Sequence, residues 1–520
     1  MVAAGHPATA DAGAAILRTG GNAVDAALAA VTTAFCAEPV LTAAGGGGFM
    51  LIAPPAREAL LYDGFARMPT GLRPPAFTLE LRPIPIDFGD TVQTFHIGQA
   101  SVAAPSLLAM LFTAHRRHGR LPLHEALAPG IDAARNGIRL NALQASFIEL
   151  LQPILGATPT CKALHAPAGE WLRAGDLFRN PDLANTLEML AIDGIDEMYR
   201  GDLARTIVAT CAPHGLLGMA DMQQAGQVEL RRPLRVDTFG GTLLTNPPPS
   251  AGGLLIAFAA RLLELLQQQP DTAAWPVLLA EALRAAAMLR RRGLDARIHE
   301  SGIAAEMLDQ RLLHAELEQI RERLRGGRDP HPDETANRHG STTHISIIDR
   351  DGMAVSLTSS NGEGSGLIAA GSGIHLNNML GEEDINPLGF HALAGGMPLP
   401  SMMAPSLFMQ DGEPRLVLGS GGSNRLRGAI LQVLTRTLLL DEPIEAAVNA
   451  PRLHPEGNRL DIEPDCLSAA EQEQLMQLGW QINRWQQQSV YFGGVHTICR
   501  SGAAVAGCGD PRRGGAVAAV

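Results

Sequence analysis

The stretch GSTTHISIIDRDGMAVSLTSS, residues 340–360, decides how this chain is read. Thr343-His344-Ile345-Ser346-Ile347-Ile348 alternates with the period of a strand. Asp349-Arg350-Asp351-Gly352 is a hairpin turn signal, and Met353 to Ser360 reads as the return strand. What precedes the hairpin is opposite in character. Residues 326–341, ending GRDPHPDETANRHGS, are charged, interrupted by Pro330 and Pro332, and without periodicity, so they read as loop. A polar loop therefore runs directly into Ser341, Thr342 and a strand. A threonine hydroxyl is a poor nucleophile unless a base activates it. At a new chain N-terminus the α-amine, near neutral in pKa, can be that base. Cleavage before Thr342 would create the amine: the hydroxyl attacks the Ser341 carbonyl, the acyl group shifts from nitrogen to oxygen and leaves the amine free, and water hydrolyses the ester.

Upstream of this stretch, Asn22 caps a helix that starts at Ala23, with Asp25 in its first turn where an acid suits the helix dipole. Pro39 lies beyond the end of that helix. Residues 1–50 thus read as helix, helix and a glycine loop, Gly45-Gly46-Gly47-Gly48, before an apolar strand Phe49-Met50-Leu51-Ile52. The loop matches neither GxxxxGK[ST] nor GxGxxG, which argues against nucleotide phosphates. Residues 105–330 read as mostly helical, interrupted by Asn246-Pro247-Pro248-Pro249-Ser250-Ala251-Gly252-Gly253 ahead of an apolar helix at Leu254. Shorter strand-rich pieces follow residue 360, and no internal repeat is visible.

Composition narrows the function. The 520 residues are 46% hydrophobic, 18% charged and only 4% aromatic, enough for a large core of small and aliphatic side chains. Net charge is −12, and with phosphate binding dependent on clustered Lys and Arg, nucleic acid is not expected as a partner. The longest apolar run, near Leu254 to Leu266, is broken by Arg261 and Glu264, so no membrane span is expected. Cys36, Cys161, Cys211, Cys466, Cys499 and Cys508 form no CxxC pair and read as free thiols. His6 and His375 have no partners at metal-ligand spacing, and neither a metal nor an organic cofactor is expected. No basic segment followed by an apolar one opens the sequence. A cytoplasmic location is expected, periplasmic or secreted if a leader is missing from this chain.

Thr342-Thr343-His344-Ile345-Ser346 resembles the processing site of gamma-glutamyltransferases, members of the N-terminal-nucleophile hydrolases. So do, in family order, Gly20-Gly21-Asn22-Ala23-Val24-Asp25-Ala26-Ala27, Gly45-Gly46-Gly47-Gly48-Phe49-Met50, and Pro247-Pro248-Pro249-Ser250-Ala251-Gly252-Gly253. Gly373-Ile374 with Leu376-Asn377-Asn378, Gly419-Ser420-Gly421-Gly422-Ser423 and Asp510-Pro511-Arg512 complete the likeness over nearly the whole chain.

The resemblance implies an α+β fold, a four-layer αββα sandwich made of a large fragment, 1–341, and a small one, 342–520, held together as one globular heterodimer. It implies an acyl-enzyme on Thr342 that hydrolyses or transfers γ-glutamyl groups to water or an amine. Ser360 would hydrogen-bond the nucleophile, and Gly421 and Gly422 would form the oxyanion hole. Substrate binding would fall to Arg67, Asn361, Glu382, Glu383 and Ser401, with Asp384 a further candidate for the substrate ammonium.

Departures from the family pattern sharpen the expectation. The arginine for the substrate α-carboxylate is displaced, in Asp63-Gly64-Phe65-Ala66-Arg67, and a paired serine becomes Pro400 beside Ser401. The segment around Asn361 and Gly362 is shortened, and the acidic motif reads Asn377-Asn378-Met379-Leu380-Gly381-Glu382. Roughly 20 residues separate Asn378 from Ser401, short for a lid loop. Together these predict poor recognition of glutathione, an open cleft, and better turnover of donors that lack or bury the α-carboxylate, a glutaryl amide among them. Two alternatives stand beside the main reading: an acylase for glutaryl-type or γ-linked polyglutamate substrates, and an uncleaved pseudoenzyme scaffold. Strand parity points His344 away from the positions next to Thr342, into a structural hydrogen bond.

Overall fold

A computed structural model describes residues 1–71, 78–87, 92–269, 273–326 and 341–520. The loop expected over 326–341 lies, from 327 to 340, outside the described residues.

The hairpin forms as expected. Strand β7 (Thr343–Ile348) pairs antiparallel with β8 (Ala354–Ser360), with Thr343 opposite Ser359. It is the centre of a seven-stranded sheet. Around it lie β1 (Val2–Ala4), β2 (Gly47–Ala53), β3 (Leu60–Gly64), β4 (Glu229–Arg231) and the C-terminal β13 (Ala516–Ala518), in the order β13-β1-β7-β8-β2-β3-β4. The strand expected at Phe49–Ile52 is β2. A second sheet stacks on the first: β5 (Leu234–Thr238), β6 (Gly241–Thr245), β9 (Ser406–Gln410), β10 (Glu413–Gly421), β11 (Gly494–Ser501) and β12 (Ala504–Cys508), ordered β12-β11-β10-β9-β6-β5.

Side-chain alternation divides the core into three slabs. On β2, Met50 and Ile52 point to one slab, with Val355 and Leu357 of β8. Helices α1 (Pro7–Arg18), α2 (Ala23–Ala37), α3 (Leu107–His118), α4 (Leu123–Asn136) and α5 (Pro181–Asp193) close that slab. Phe49, Leu51 and Ala53 point the other way and meet Leu407, Val417 and Ile498 of the second sheet. On that sheet's far face pack α6 (Ala251–Gln267), α7 (Trp275–Leu289), α8 (Gln310–Leu324) and α9 (Leu426–Leu439). The layers run helix, sheet, sheet, helix, which is the αββα sandwich. Two strands of the second sheet, β5 and β6, fall where helix was expected.

All six cysteines are unpaired, and no helix among the described residues is long and apolar enough to cross a membrane. No group of three or more His, Cys, Asp and Glu among the described residues is arranged to hold a metal.

Candidate active site

The end of the hairpin places Thr342 and Ser360 side by side at the rim of the two sheets. Both are buried, and with Ser341 they line a cavity of about 40 Å3. Its walls include Phe65, Met379, Glu382, Asp384, Ser401, Met402, Met403, Ser423 and Leu426. The Ser341–Thr342 bond is held from several sides. Ser360 Oγ donates to the Ser341 carbonyl at 2.5 Å and itself accepts from Gly362 N–H at 3.0 Å. Ser341 N–H donates to Glu363 Oε1 at 3.0 Å. On the other side, Arg513 Nη1 donates to the Thr342 carbonyl at 3.2 Å. A hydroxyl aimed at a carbonyl oxygen stabilises the charge that grows there under attack, and such a donor contributes about 2.7–4 kcal/mol to an acyl-transfer barrier. Ser360→Ala is therefore expected to slow cleavage of the Ser341–Thr342 bond by roughly 10²–10³-fold, read as the precursor band remaining on denaturing gels, with Ser360→Thr restoring most of the rate.

Glycines press the backbone of the site into place. A Cβ on Gly421, at the end of β10, would lie 2.1 Å from the Thr342 carbonyl oxygen. Gly422 turns the chain at φ +121°, a conformation that side chains disfavour. A Cβ on Gly46 would meet the Ser360 carbonyl at 2.2 Å, which gives the four-glycine loop its purpose: it backs the end of β8. Gly252 in α6 packs in the same way on Met402 O, at 2.0 Å, and Ser250 Oγ donates to the carbonyls of Ser401 and Met403 at 2.9 Å. The Pro-Pro-Pro-Ser-Ala-Gly-Gly motif thus positions the Ser401–Met403 wall. Helix α6 starts at Ala251 rather than Leu254 because those glycines belong to its first turn.

The site is acidic. Burial, with Asp384 adding repulsion, pushes Glu363 well above the usual carboxylate range. Burial, with Glu363 and Asp384 adding repulsion, does the same to Glu382. Burial and like charge both favour the protonated form of these acids. Asp384 accepts from Ser423 Oγ. A further buried acid, Glu38, accepts from Thr343 Oγ1 at 2.6 Å and Thr9 Oγ1 at 2.9 Å. Burial raises it to about 6, against the lowering effect of these bonds and of Arg513.

Thr342, Ser360, Gly421, Glu382 and Ser401 come together around the cavity, with Gly422 adjoining Gly421. Asn361 is buried beside Ser360 in a short bridge to Glu363 and does not line the cavity. Glu383 faces the opposite way, into a larger neighbouring cavity. Arg67 departs furthest from expectation. It sits two residues beyond Phe65, past the cavity edge, and its guanidinium donates to Glu229 Oε2 at 2.6 Å and to Gly396 O at 3.3 Å. It lines a separate depression, and among the described residues no basic one lines the Thr342 cavity.

His344 makes the structural hydrogen bonds expected of it, and only the face it occupies differs from expectation. It lies on the inner face of the hairpin, the face of Thr358 and Ser360, and not away from it, because period two returns the same face every second residue. Its ring is spent on structure: Nδ1 bonds Thr358 Oγ1 at 2.8 Å and Nε2 bonds Ser346 Oγ at 2.9 Å. Ser346 Oγ donates to His496 O, so Nε2 carries the proton and Nδ1 accepts. Burial, helped by His496, keeps the ring neutral.

Glu363, Glu38, Arg513 and Ser423 did not emerge as site residues from the sequence. Arg513 had one nearby signal, the Asp510-Pro511-Arg512 motif. Arg512 itself is structural, buried against Glu463 and Asp510, while Arg452 Nη2 donates to Asp510 at 2.5 Å. This network fixes the turn that delivers Arg513.

Known proteins resemble this chain over nearly its whole length. The chain is 30% identical to glutathione hydrolase 5 proenzyme of Mus musculus over 99% of its own length and 91% of the relative's. It is 29% identical to a glutathione hydrolase proenzyme of Pseudomonas aeruginosa, over 96% and 90%. The crystal structure of a cephalosporin acylase from Bacillus halodurans superposes with a TM-score of 0.84 at 25% identity, over 99% of this chain and 95% of that one. The family model for gamma-glutamyltranspeptidase matches residues 9–520. The chain belongs to the gamma-glutamyltranspeptidase family and is an enzyme of the N-terminal-nucleophile hydrolase class.

Proposed function

We propose that the chain cuts itself between Ser341 and Thr342, that fragments 1–341 and 342–520 stay together, and that Thr342 then transfers an ammonium-bearing acyl group, of the γ-glutamyl type, to water or an amine. The observation that carries the proposal is the Ser360 hydroxyl on the Ser341 carbonyl inside a cavity walled by Glu382 and Asp384. In the first step the Thr342 hydroxyl attacks the Ser341 carbonyl carbon, Ser360 supports the oxyanion, and the amide nitrogen leaves with a proton. Water then hydrolyses the ester, releasing the Ser341 carboxylate and restoring the Thr342 hydroxyl beside its free amine. In turnover that amine takes the hydroxyl proton, the donor carbonyl is attacked, and the oxyanion is held by the Gly421–Gly422 backbone.

Substrate class follows from the walls. An ammonium entering beside Glu382 and Asp384, with Glu363 behind them, would offset the burial and mutual repulsion that disfavour ionised Glu363 and Glu382. A carboxylate entering there meets no cation among the described residues that line the cavity. On these walls we favour the γ-glutamyl reading over the glutaryl one. A glutaryl amide keeps the terminal carboxylate and lacks the ammonium, so it is the donor this site suits least. A 4-aminobutyryl amide has the opposite pattern. The test is kcat/KM for the 4-nitroanilides of γ-glutamate, 4-aminobutyrate and glutarate. The first two are expected within about tenfold of each other and the glutaryl compound at least about 30-fold slower, the scale of one unpaired buried charge. A glutaryl preference would instead establish the acylase reading. A cytoplasmic setting, in keeping with the free thiols, belongs to the same proposal and is checked by fractionation.

A further inference from the structure

A larger cavity, about 590 Å3, adjoins the Thr342 site. The two share a wall: Ser423 and Leu426 face the nucleophile, while Asn424 and Arg427 face the larger space, and Asp384 and Glu383 divide in the same way. Its opposite wall is the end of α7. There the helix loosens into a single wide turn, Arg290–Leu294, with Gly293 at φ +97°. That turn places Arg290 and Arg291 on the cavity, beside Arg284.

Four arginines and three carboxylates line the space. Two of the carboxylates are engaged locally: Asp295 takes the Arg290 Nε at 2.9 and 3.0 Å, and Glu456 takes His454 Nε2 at 3.2 Å. Arg427 is different. It is only 7% exposed, and its Nη1 has no hydrogen-bond partner among the described residues. A buried guanidinium edge without an acceptor is costly, and a carboxylate is the planar acceptor its fork fits best. Arg427 is also the second residue of α9, a fourteen-residue helix whose amino end adds a favourable dipole for an anion.

We propose that this cavity is a subsite for a carboxylate on the leaving portion of the acyl donor, held by Arg427 and by the Arg290–Arg291 turn. The inference rests on the acyl-transfer reading of Thr342. It assigns the acidic side of the shared wall to the acyl group and the basic side to the amine that departs. Donors whose amine is an amino acid or peptide carry such a carboxylate; simple amides do not.

The experiment compares γ-glutamyl-3-carboxy-4-nitroanilide with γ-glutamyl-4-nitroanilide, using the ratio of kcat/KM within each protein so that folding losses cancel. Wild type is expected to favour the carboxylated donor by about tenfold or more, the scale of one charge-assisted contact. The ratio should fall toward one in Arg427→Gln and by a smaller factor in Arg291→Gln, which alters an exposed rim residue and leaves the buried helix end intact. A wild-type ratio of one or less, or ratios unchanged in both variants, overturns the proposal. Calorimetric titration with propane-1,2,3-tricarboxylate reads the same subsite without turnover. Saturable binding lost in Arg427→Gln supports it, and absence of binding to wild type counts against it. Turnover of neither anilide together with intact tricarboxylate binding would locate the failure in the acyl-transfer reading.

Discussion

Thr342→Ala is expected to remain a single chain of 520 residues, where the wild type separates under denaturing conditions into 1–341 and 342–520. The same substitution should abolish turnover of γ-glutamyl anilides, with kcat reduced by on the order of 10⁴-fold or more, as for the loss of a nucleophile with no substitute. Both effects follow from one hydroxyl used twice. In the precursor it lies beside a carbonyl already engaged by Ser360; in the mature enzyme it would attack the donor. Thr342→Ser keeps the hydroxyl and should still cleave, at a reduced rate. N-terminal sequencing of the smaller fragment is the decisive measurement. Should the alanine variant still split at this bond, or the wild-type fragment start at another residue, self-cleavage by Thr342 is wrong.

The second large effect concerns Gly421. Its added Cβ would lie 2.1 Å from the Thr342 carbonyl oxygen and 3.0 Å from Arg513 Nη1. The first contact is with backbone, which cannot swing aside as a side-chain tip can. Either β10 or Thr342 must move, and the 3.2 Å bond from Arg513 to Thr342 moves with it. Overpacking of this kind costs about 1–3 kcal/mol of stability, and a displacement of about 1 Å at a reacting centre costs about 10²-fold in rate. Gly421→Ala should therefore slow both cleavage and turnover by at least that factor while the protein still folds. Gly218→Ala is the control, because a methyl there meets nothing closer than Asp221 Oδ2 at 3.6 Å. If Gly421→Ala matures and turns over at the wild-type rate, the close packing against Thr342 has no part in the chemistry.

The hairpin was legible in the sequence because alternation and Asp-Gly turn chemistry are local signals. The start of α2 was legible for the same reason: Asn22 and Asp25 form a reciprocal capping box within four residues. Strand β1 was not. Three residues carry no usable period, and Val2–Ala4 is extended because β7 and β13 flank it. Strands β5 and β6 were passed over although Gly240-Gly241 marks their turn, because long Ala- and Leu-rich helices surround them and dominated the reading. At the site, Thr342 and the Gly421–Gly422 pair stood out through motif resemblance, while Glu363 and Arg513 acquire meaning only when the two sheets stack. Where Arg67 sits was not legible, because nearness in the chain does not fix nearness in space: it lies past Phe65 and pairs with Glu229.

The order β13-β1-β7-β8-β2-β3-β4 interleaves the two sides of the Ser341–Thr342 bond. Strand β1 precedes that bond and lies between β7 and β13, which follow it. In an uncut chain, folding is a first-order event whose rate does not depend on concentration. Once cut, neither piece can complete the sheet alone, so refolding becomes second order and slows with dilution, while the folded particle is unchanged. The cut thus makes assembly history matter: two molecules with the same final structure would differ in whether they can return to it after being unfolded in dilute solution.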